Sequence, residues 1–564
     1  MSAKTNNSAL FTLTTVFFFW GFIAAGNSVF IPFCKNYFHL DQFQSQLIDF
    51  AFYLAYYLGA LLLFTIGSST GKDLVGQWGY KKSIVYGLSF SALGAVAMII
   101  SVYLNVFSGM LFGLFIVALG FSLQQTSANP FMIALGDEST GSNRINLGGG
   151  INSLGTTVGP LIVALALFGT ASAINDEMIE SLSLYQVILL YACVGALFLG
   201  VAILFSVSKN LPSGVSVDKP EKAKKAMVTL LVITGLLIAC FAPVFGSYLS
   251  KDQKKIEQIQ ADVKVLKKEG VKKAKEIEFK NEEIKSLSGP LDQQRMLWLS
   301  AGLLVIIGGL LYAHVKGKKE KDQWGAMQYP QLTLGMLAIF VYVGVEVAIG
   351  SNLGELLKKD SFGGYGSSEI APFIAMFWGS LMIGRWSGAI NAFDLTNKVK
   401  NILKFFVPLA AFFVVLGLTS ASGYEVSPLY WYILCVLLQI AAFYITNDRP
   451  AFTLGVFSVL GTVCIIIGLM TSGTVAIYAL LSAGLFLSIM WPCIFSLSLS
   501  GLGKYQTQGS GFLVMMILGG AIIPPIQGKI ADVIGIQESF FIGAFCFAYL
   551  AFFAWFLGKK KAQI

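Results

Sequence analysis

The chain has 564 residues, of which 55% are hydrophobic and only 12% are charged, and its mean hydropathy is +0.72. Soluble domains carry about 25% charged residues, so this composition excludes an ordinary soluble enzyme and a secreted disulfide scaffold. Seven isolated cysteines and two histidines form no metal-binding or catalytic motif, so we expect no cofactor and no metal. The net charge of +9 needs an explanation other than nucleic-acid binding.

Apolar runs long enough to cross a bilayer of about 30 Å as helices recur along the chain. An N-terminal bundle is predicted over residues 1–208, with spans at 10–34, 46–69, 83–103, 106–134, 145–169 and 181–206. An inserted segment over residues 209–330 contains two more, at 227–249 and 296–315. A C-terminal bundle is predicted over residues 331–564, with spans at 331–353, 369–393, 402–420, 428–446, 452–471, 475–498, 509–527 and 537–557. These runs predict an all-α polytopic membrane protein with about sixteen spans.

The segment 251–287 differs from everything around it, because it contains 11 lysines and 8 acidic residues. Such a segment cannot lie in lipid. Apolar residues recur in it at helical spacing on both sides of Gly270, which predicts an amphipathic helical hairpin. The main interpretation is a solvated structural cap, and the alternative is a module that binds a partner protein.

Basic residues of the short loops predict the orientation in the membrane. They fall on one side, at Lys72, Lys81, Lys82, Arg144, 209–225, 316–321, 398–404, Arg449, Lys504 and 559–561. The positive-inside rule then places both termini in the cytoplasm and the hairpin outside. We expect a multi-pass protein of the inner or plasma membrane, whose positive charge largely reflects this topology.

A weak internal repeat relates the two bundles. A helix with a proline, a polar turn and a Gly-rich helix ending in proline occur between Pro130 and Pro160, and again between Pro492 and Pro524. Repeats of this kind, related by an axis along the membrane normal, are typical of transporters that work by alternating access.

Glu346 is the clearest functional candidate, because a carboxylate in the middle of a span is costly unless it faces a partner or a water-filled path. Tyr342 lies one turn earlier on the same helical face. Glu346 is predicted to accept a hydrogen bond from substrate or to carry a proton; the alternative is a neutralised structural partner. Trp378 and Trp491 are candidates for substrate stacking or for packing. Arg385, near the end of a span, is expected to snorkel or to pair structurally.

Amides within the N-terminal spans are candidates for binding hydroxyl groups. Gln124, Gln125 and Asn129 lie in one span, and the last two share a helical face. Asn129 precedes Pro130, so it binds either substrate or the backbone that proline leaves unpaired. Asn152 follows three glycines, where close helix packing lets an amide reach a central cavity.

Three further residues complete the candidates. Trp20 and Asn27 share a face of the first span, where a ring beside an amide suits a sugar. Asp49 opens the second span and is either a helix N-terminal carboxylate or a second candidate for proton coupling.

Local strings in both bundles resemble a known family. They are, in chain order, FFFWGFIAAGNSVFIPF, LIDFAFYLAYYLGA, LQQTSANPFMIALG, RINLGGGINSLGTTVGP, FVYVGVEVAIGS, IMWPCIFSLSLSGLG and GSGFLVMMILGGAIIPP. The chain resembles the fucose/glucose/galactose permease family of the major facilitator superfamily. The resemblance implies a two-bundle (6+6) fold and a sugar transporter with a central site, typically coupled to protons. By matching position it implies site roles for Asn27, Gln125, Asn129, Asn152 and Glu346.

Departures from the family pattern bear on coupling. Fucose–proton members have an Asp in the first helix and a Glu in the fourth, where this chain has Ser28 and Gln125. The cytoplasmic motif after the second helix has Gly76 where Asp is common. Two additional helix pairs, at 227–315 and 402–446, lie outside the usual twelve.

The leading hypothesis is therefore a hexose transporter that works by alternating access, with a proton or sodium ion as coupling ion. Glu346 is the first candidate for proton coupling and Asp49 the second. The alternatives are a facilitative uniporter and a non-transporting sensor or scaffold that retains the fold. An enzyme is not expected, because no pairing of nucleophile and base is visible.

Overall fold

The computed structural model describes residues 6–38, 42–169, 183–215, 222–268 and 274–561, and this part of the chain is helical. The side chains of Asn27, Ser28 and Asp49 lie outside the described part. Within these residues, the N-terminal half contains seven α-helices: α1 Asn7–Tyr37, α2 Gln42–Thr70, α3 Leu74–Trp78, α4 Tyr80–Tyr103, α5 Phe107–Ala134, α6 Gly141–Phe168 and α7 Leu184–Val207.

An inserted segment follows the N-terminal half. Its helices are α8 Lys224–Tyr248, α9 Lys251–Lys268 and α10 Ala274–Glu320. The sequence predicts a short hairpin followed by a separate span at 296–315. Instead, α10 is one helix of 47 residues that contains both the second arm of the hairpin and the span. Pro290 does not end this helix.

The C-terminal half contains nine helices. They are α11 Pro330–Leu357, α12 Ser367–Ala389, α15 Pro450–Met470, α16 Gly473–Leu487, α17 Met490–Leu499, α18 Gln506–Met515, α19 Gly519–Ile534, α20 Ile536–Ser539 and α21 Phe541–Lys561. A second inserted pair, α13 Asn397–Ala421 and α14 Ile433–Thr446, separates α12 from α15. A short break at Ser488 separates α16 from α17, and a 3-10 turn, Met516–Leu518, joins α18 to α19. We treat α16–α17 and α18–α19 as two interrupted spans.

The two halves share one packing pattern. In the N-terminal half α1 packs on α6, α2 on α5, and α4 on α5 and α7. In the C-terminal half α11 packs on α19, α12 on α16, and α15 on α16 and α21. Between the halves α6 packs on α12, and α2 packs on α18, so equivalent helices exchange partners as a twofold axis requires. Both inserted segments lie outside this pattern.

Thirteen helices of the described part are long and apolar enough to cross a membrane. Asn7–Ile23, the part of α1 whose side chains are described, is a shorter apolar stretch, and neither α6 nor α12 is among the thirteen. Several side chains of α6 also lie outside the described part. The all-helical, many-span class is confirmed, whereas the number sixteen stays a prediction.

The charged hairpin is held by its own apolar stripe and by a buried arginine. Ile256, Ile259 and Val263 are buried between α9 and α10. Arg295 of α10 donates to Ser247 Oγ at 2.7 Å and to the side-chain oxygen of Gln253 at 2.9 Å. These contacts fix the base of the hairpin on α8, and five of the six hairpin lysines whose side chains are described are exposed.

The second inserted pair is attached to the C-terminal half by a buried ion pair. Lys404 of α13 contacts the carboxylate of Asp448, in the turn after α14. Asn391, just after α12, donates to the same carboxylate at 2.6 Å. Because the lysine side chain is only 7% exposed and that of Asp448 11%, this anchor is almost entirely shielded from solvent.

Candidate functional site

Glu346 lies in the middle of α11, and its side chain is 13% exposed. Tyr342, one turn earlier, is buried, and its hydroxyl is hydrogen-bonded to the Glu346 carboxylate. The pairing follows from the spacing of four residues, which places both side chains on one face of the helix. The carboxylate is therefore enclosed yet still reaches a solvent-accessible surface.

The guanidinium of Arg385 approaches Glu346 from α12. Its Nη2 lies 3.5 Å from Glu346 Oε1 and donates to the Tyr342 hydroxyl at 3.1 Å. Its Nε donates to the carbonyl of Ser488 at 3.1 Å, where α16 ends, and its Nη1 donates to Ser153 Oγ at 2.8 Å. Of the two expectations for Arg385, pairing is the one that the geometry supports, because the side chain points inward between helices.

Contacts between the two halves lie around Arg385 and toward the end of the molecule at which α6 begins. Trp386 Nε1 donates to the carbonyl of Gly150 at 3.1 Å, and Asn143 Nδ2 donates to that of Gly388 at 2.7 Å. We call this contact of α6 with α12 the α6–α12 seam. On the other side of the bundle, Ser510 Oγ donates to the carbonyl of Thr126 at 2.8 Å.

Glycines of α6 allow a close approach of α12 at the α6–α12 seam. A Cβ added to Gly150 would lie 2.6 Å from Cδ1 of Trp386, and one on Gly149 would lie 3.2 Å from Cδ of Arg385. Gly149 and Gly150 thus let α12 side chains pass directly against the backbone of α6.

The N-terminal amides are bonded within their own half. Gln124 is fully buried; its side-chain oxygen accepts from Trp20 Nε1 at 3.0 Å, and its nitrogen donates to Ser91 Oγ at 3.1 Å. Gln125 is half-buried and donates to the Tyr56 hydroxyl at 3.2 Å. Trp20, predicted to stack on substrate, is 6% exposed and lies inside this network.

Asn129 and Asn152 both hydrogen-bond to backbone carbonyls. Asn129 donates to the carbonyl of Gln125 at 3.1 Å, one turn before Pro130, and its own oxygen is buried without a partner in the described part. The carbonyl that Pro130 leaves without its helical donor is that of Thr126, and it accepts from Ser510 Oγ, so this bond of Asn129 decides neither of its two predicted roles. Asn152 donates to the carbonyl of Phe17 at 3.1 Å and remains half-buried.

The two candidate tryptophans, Trp378 and Trp491, lie beside the charged pair and its helix. The ring of Trp491 is 6.2 Å from that of Tyr342, and Trp378 packs against α11 at Gly350. Both tryptophans are half-buried. They therefore present apolar surface close to Glu346, unlike Trp20.

Arg385 and Ser153 belong to this site although neither is among the substrate-binding or proton-coupling candidates. A charge inside an apolar run marks Arg385 as a candidate in the sequence. Its partner, Glu346, cannot be predicted from local spacing because the two residues are 39 positions apart. No such feature marks Ser153 beyond its place next to Asn152. Asn27 and Asp49 lie in α1 and α2, and their side chains are outside the described part.

Comparison with solved structures identifies the architecture. The structure of FucP, a major facilitator superfamily transporter in the outward conformation, matches with a TM-score of 0.59 at 21% identity, over 97% of this chain and 98% of that one. A structure of the E. coli fucose:proton symporter FucP gives a TM-score of 0.60 at 20% identity, over 98% of this chain and 99% of that one. The chain has the major facilitator fold.

Curated relatives extend the match along the whole sequence. The glucose/galactose transporter of Brucella abortus is 29% identical over 99% of this chain and 96% of its own length. The L-fucose-proton symporter of Escherichia coli is 24% identical over 98% of this chain and 93% of its own length. No family model matches the chain. The resemblance to the sugar permeases of the major facilitator superfamily is confirmed, and these relatives are transporters rather than enzymes.

Proposed function

We propose that the protein is a secondary transporter that imports a hexose-type sugar, of the fucose, glucose or galactose class, by alternating access. The observation that carries this proposal is the similarity to glucose/galactose transporters along almost the entire chain. A major facilitator fold with two equivalent halves supports it, because such halves can rock around a site between them.

The proposed substrate site lies between the halves near Glu346. Half-buried Gln125 and Asn152 supply amides from the N-terminal half, and Trp378 supplies an aromatic face from the C-terminal half. Amides and carboxylates hydrogen-bond sugar hydroxyls, whereas aromatic rings cover the apolar faces of sugars. Asn27 and Asn129 complete the proposed set.

Proton coupling is proposed to reside on Glu346. It is an intramembrane carboxylate paired with a cation, and such groups mark proton pathways in transporters. The proton-coupled relative in the comparison, the fucose symporter of E. coli, supports coupling to protons rather than sodium. Asp49 stays the second candidate.

The proposed topology has sixteen spans, both termini in the cytoplasm and the charged hairpin outside, following the distribution of lysine and arginine. In that orientation the α6–α12 seam closes the cytoplasmic side of the site. The conformation then corresponds to an outward-facing state.

Uptake by purified protein in liposomes tests the proposal. We expect saturable uptake of at least one labelled hexose, and accumulation above equilibrium when the outside is made acidic. The control is liposomes without protein in the same pH gradient. Absence of uptake and of exchange for every hexose in the panel would rule the proposal out.

A facilitative uniporter is the second candidate. Ser28 and Gln125 stand where coupled relatives are expected to have carboxylates, and Glu346 is already paired with Arg385. A uniporter would equilibrate sugar at the same rate with and without a pH gradient and would never concentrate it. The same liposome assay therefore separates the two candidates.

A further inference from the structure

Arg385 occupies the junction of four helices. Its own helix is α12, and its guanidinium reaches Tyr342 and Glu346 on α11, the Ser488 carbonyl at the end of α16, and Ser153 on α6. The residue is 9% exposed. A guanidinium keeps its proton in proteins, so this buried cation depends on its acceptors.

The partners of Arg385 divide between the two halves. Ser153 belongs to the N-terminal half and is held at 2.8 Å, whereas Glu346 belongs to the C-terminal half and lies at 3.5 Å. Among the acceptors that the guanidinium contacts, only Glu346 carries a charge. Arg385 therefore joins the carboxylate of one half to the closed α6–α12 seam of the other.

The groups around Glu346 show why its charge matters here. From its own helix Tyr342 faces it, and from α12 Arg385 faces it. Around that pair, α6 contributes the hydroxyl of Ser153, and α17 contributes the ring of Trp491 against Tyr342. On the other side, α19 packs an isoleucine against α11 at Gly344. Within the described part, Arg385 is thus the charged group that acts on Glu346.

Removing the charge of one partner leaves the other buried without compensation, which is strongly unfavourable. When Glu346 takes up a proton, Arg385 keeps only neutral acceptors. Water can replace the lost charge, and opening of the α6–α12 seam admits water to Arg385 from the side that this seam closes. Protonation of Glu346 then favours separation of α6 from α12.

We propose that Arg385 is a positioning residue that couples the charge of Glu346 to the α6–α12 seam: ionised Glu346 holds the seam closed through Arg385, and protonated Glu346 releases it. The inference rests on the proposed function in that Glu346 is taken as the proton carrier. It assigns to Arg385 a role in gating rather than in binding sugar.

A cysteine at Asn146 reports on the seam, because this buried α6 side chain lies against Gly388 of α12, 2.7 Å from where a Cβ on that glycine would be. The full-length Asn146→Cys protein is reconstituted and alkylated with a water-soluble maleimide at several pH values. Mass spectrometry of the labelled peptide separates the reporter from the native cysteines. Ser458→Cys is the control, since that buried side chain lies in α15 and bonds to Leu454 of its own helix.

Each rate is divided by that of free cysteine at the same pH, because maleimide reacts with the thiolate and the thiolate fraction falls with pH. After this normalisation we expect the Asn146→Cys reporter to label about tenfold faster at acidic than at neutral pH, a population shift of ordinary size for a switch. Glu346→Gln should label fast at every pH, because it imitates the protonated state. Arg385→Gln should remove the pH dependence, and Arg385→Lys should restore part of it. The Ser458→Cys control should stay slow throughout, which shows that the fold is intact.

Two results would overturn the inference: pH-dependent labelling that persists in Arg385→Gln, or labelling of Glu346→Gln no faster than that of the parent. Sugar exchange is measured on the same preparations. If the reporter follows pH through Arg385 but no sugar moves, the sugar proposal fails and the gating role stands. If sugar moves while the reporter ignores pH, the gating role fails and the transport proposal stands.

Discussion

The polar side chains of the candidate site that the structure describes differ between the two halves in kind and in the places where their hydrogen bonds end. In the N-terminal half they are neutral amides, and Gln124 closes a network with Trp20 and Ser91 that stays inside that half. In the C-terminal half they are a carboxylate and a guanidinium, and Arg385 extends to Ser153 across the seam. Under the proposed function, the amides shape one wall of the sugar site, and the charged pair of the other half responds to protons.

The largest effect is expected from removing the charge of the C-terminal half. Glu346→Gln keeps shape and hydrogen-bonding capacity but cannot titrate, so it should abolish sugar accumulation against a gradient while exchange of labelled for unlabelled sugar persists. Counterflow and pH-driven uptake in the same liposomes measure the two activities. If the variant concentrates sugar as the parent does, Glu346 is not the coupling site, and Asp49 becomes the first candidate.

A carboxylate introduced into the N-terminal half tests whether that half can also take part in the pH response. Gln125→Glu introduces a second titratable group, whose carboxylate can accept a hydrogen bond from the Tyr56 hydroxyl to which Gln125 donates. We expect the pH profile of uptake to move by about one unit, because two carboxylates then share the response. Gln125→Met is the neutral control and should change the KM without moving the profile. An unchanged pH profile of uptake in Gln125→Glu would mean that a carboxylate at position 125 does not take part in proton coupling.

The two tryptophan environments predict opposite consequences for one substitution. Trp20→Phe leaves the buried oxygen of Gln124 without its donor, which should lower the free energy of unfolding by about 1–3 kcal/mol and leave the KM for sugar unchanged. Trp378→Phe should raise the KM with little loss of stability, because this ring is half-buried beside α11. Thermal unfolding and uptake kinetics of both variants measure the contrast. A raised KM in Trp20→Phe alone would move the substrate surface to the N-terminal half.

The smallest effect on transport is expected from the charged hairpin, which lies outside both halves. Replacing residues 251–287 with a short Gly/Ser linker removes α9 and the exposed arm of α10 but keeps the span that packs on α8 and α11. Uptake rates per folded molecule should stay within about twofold of the parent, a difference below 0.5 kcal/mol. Arg295 loses Gln253, so stability falls slightly. Complete loss of uptake would favour a functional role for the hairpin, as in the sensor hypothesis.

Sequence patterns by themselves determined the class, the positions of most spans and the place of Glu346 inside a span. The reason is that a bilayer imposes a length on each helix and a high cost on each buried charge, and both are visible locally. The amphipathic spacing of Ile256, Ile259 and Val263 likewise predicted an apolar stripe, and these side chains are buried. The three glycines before Asn152 indicated close packing, which the approach of Trp386 to Gly150 shows.

Only the tertiary structure decided which of these residues meet. Glu346 and Arg385 are 39 residues apart, and Ser153 lies 232 residues from Arg385, so no local periodicity relates them. The hydrogen bond of Trp20 to Gln124 was not predictable for the same reason. The two residues are 104 positions apart, and helix packing brings the Gln124 oxygen to the indole N–H. The interior of α10 also continues past Gly289 and Pro290, because packing against α8 and α9 stabilises the helix more than these residues weaken it. Local spacing governs single helices, whereas the partners of a buried polar group depend on how the helices pack together.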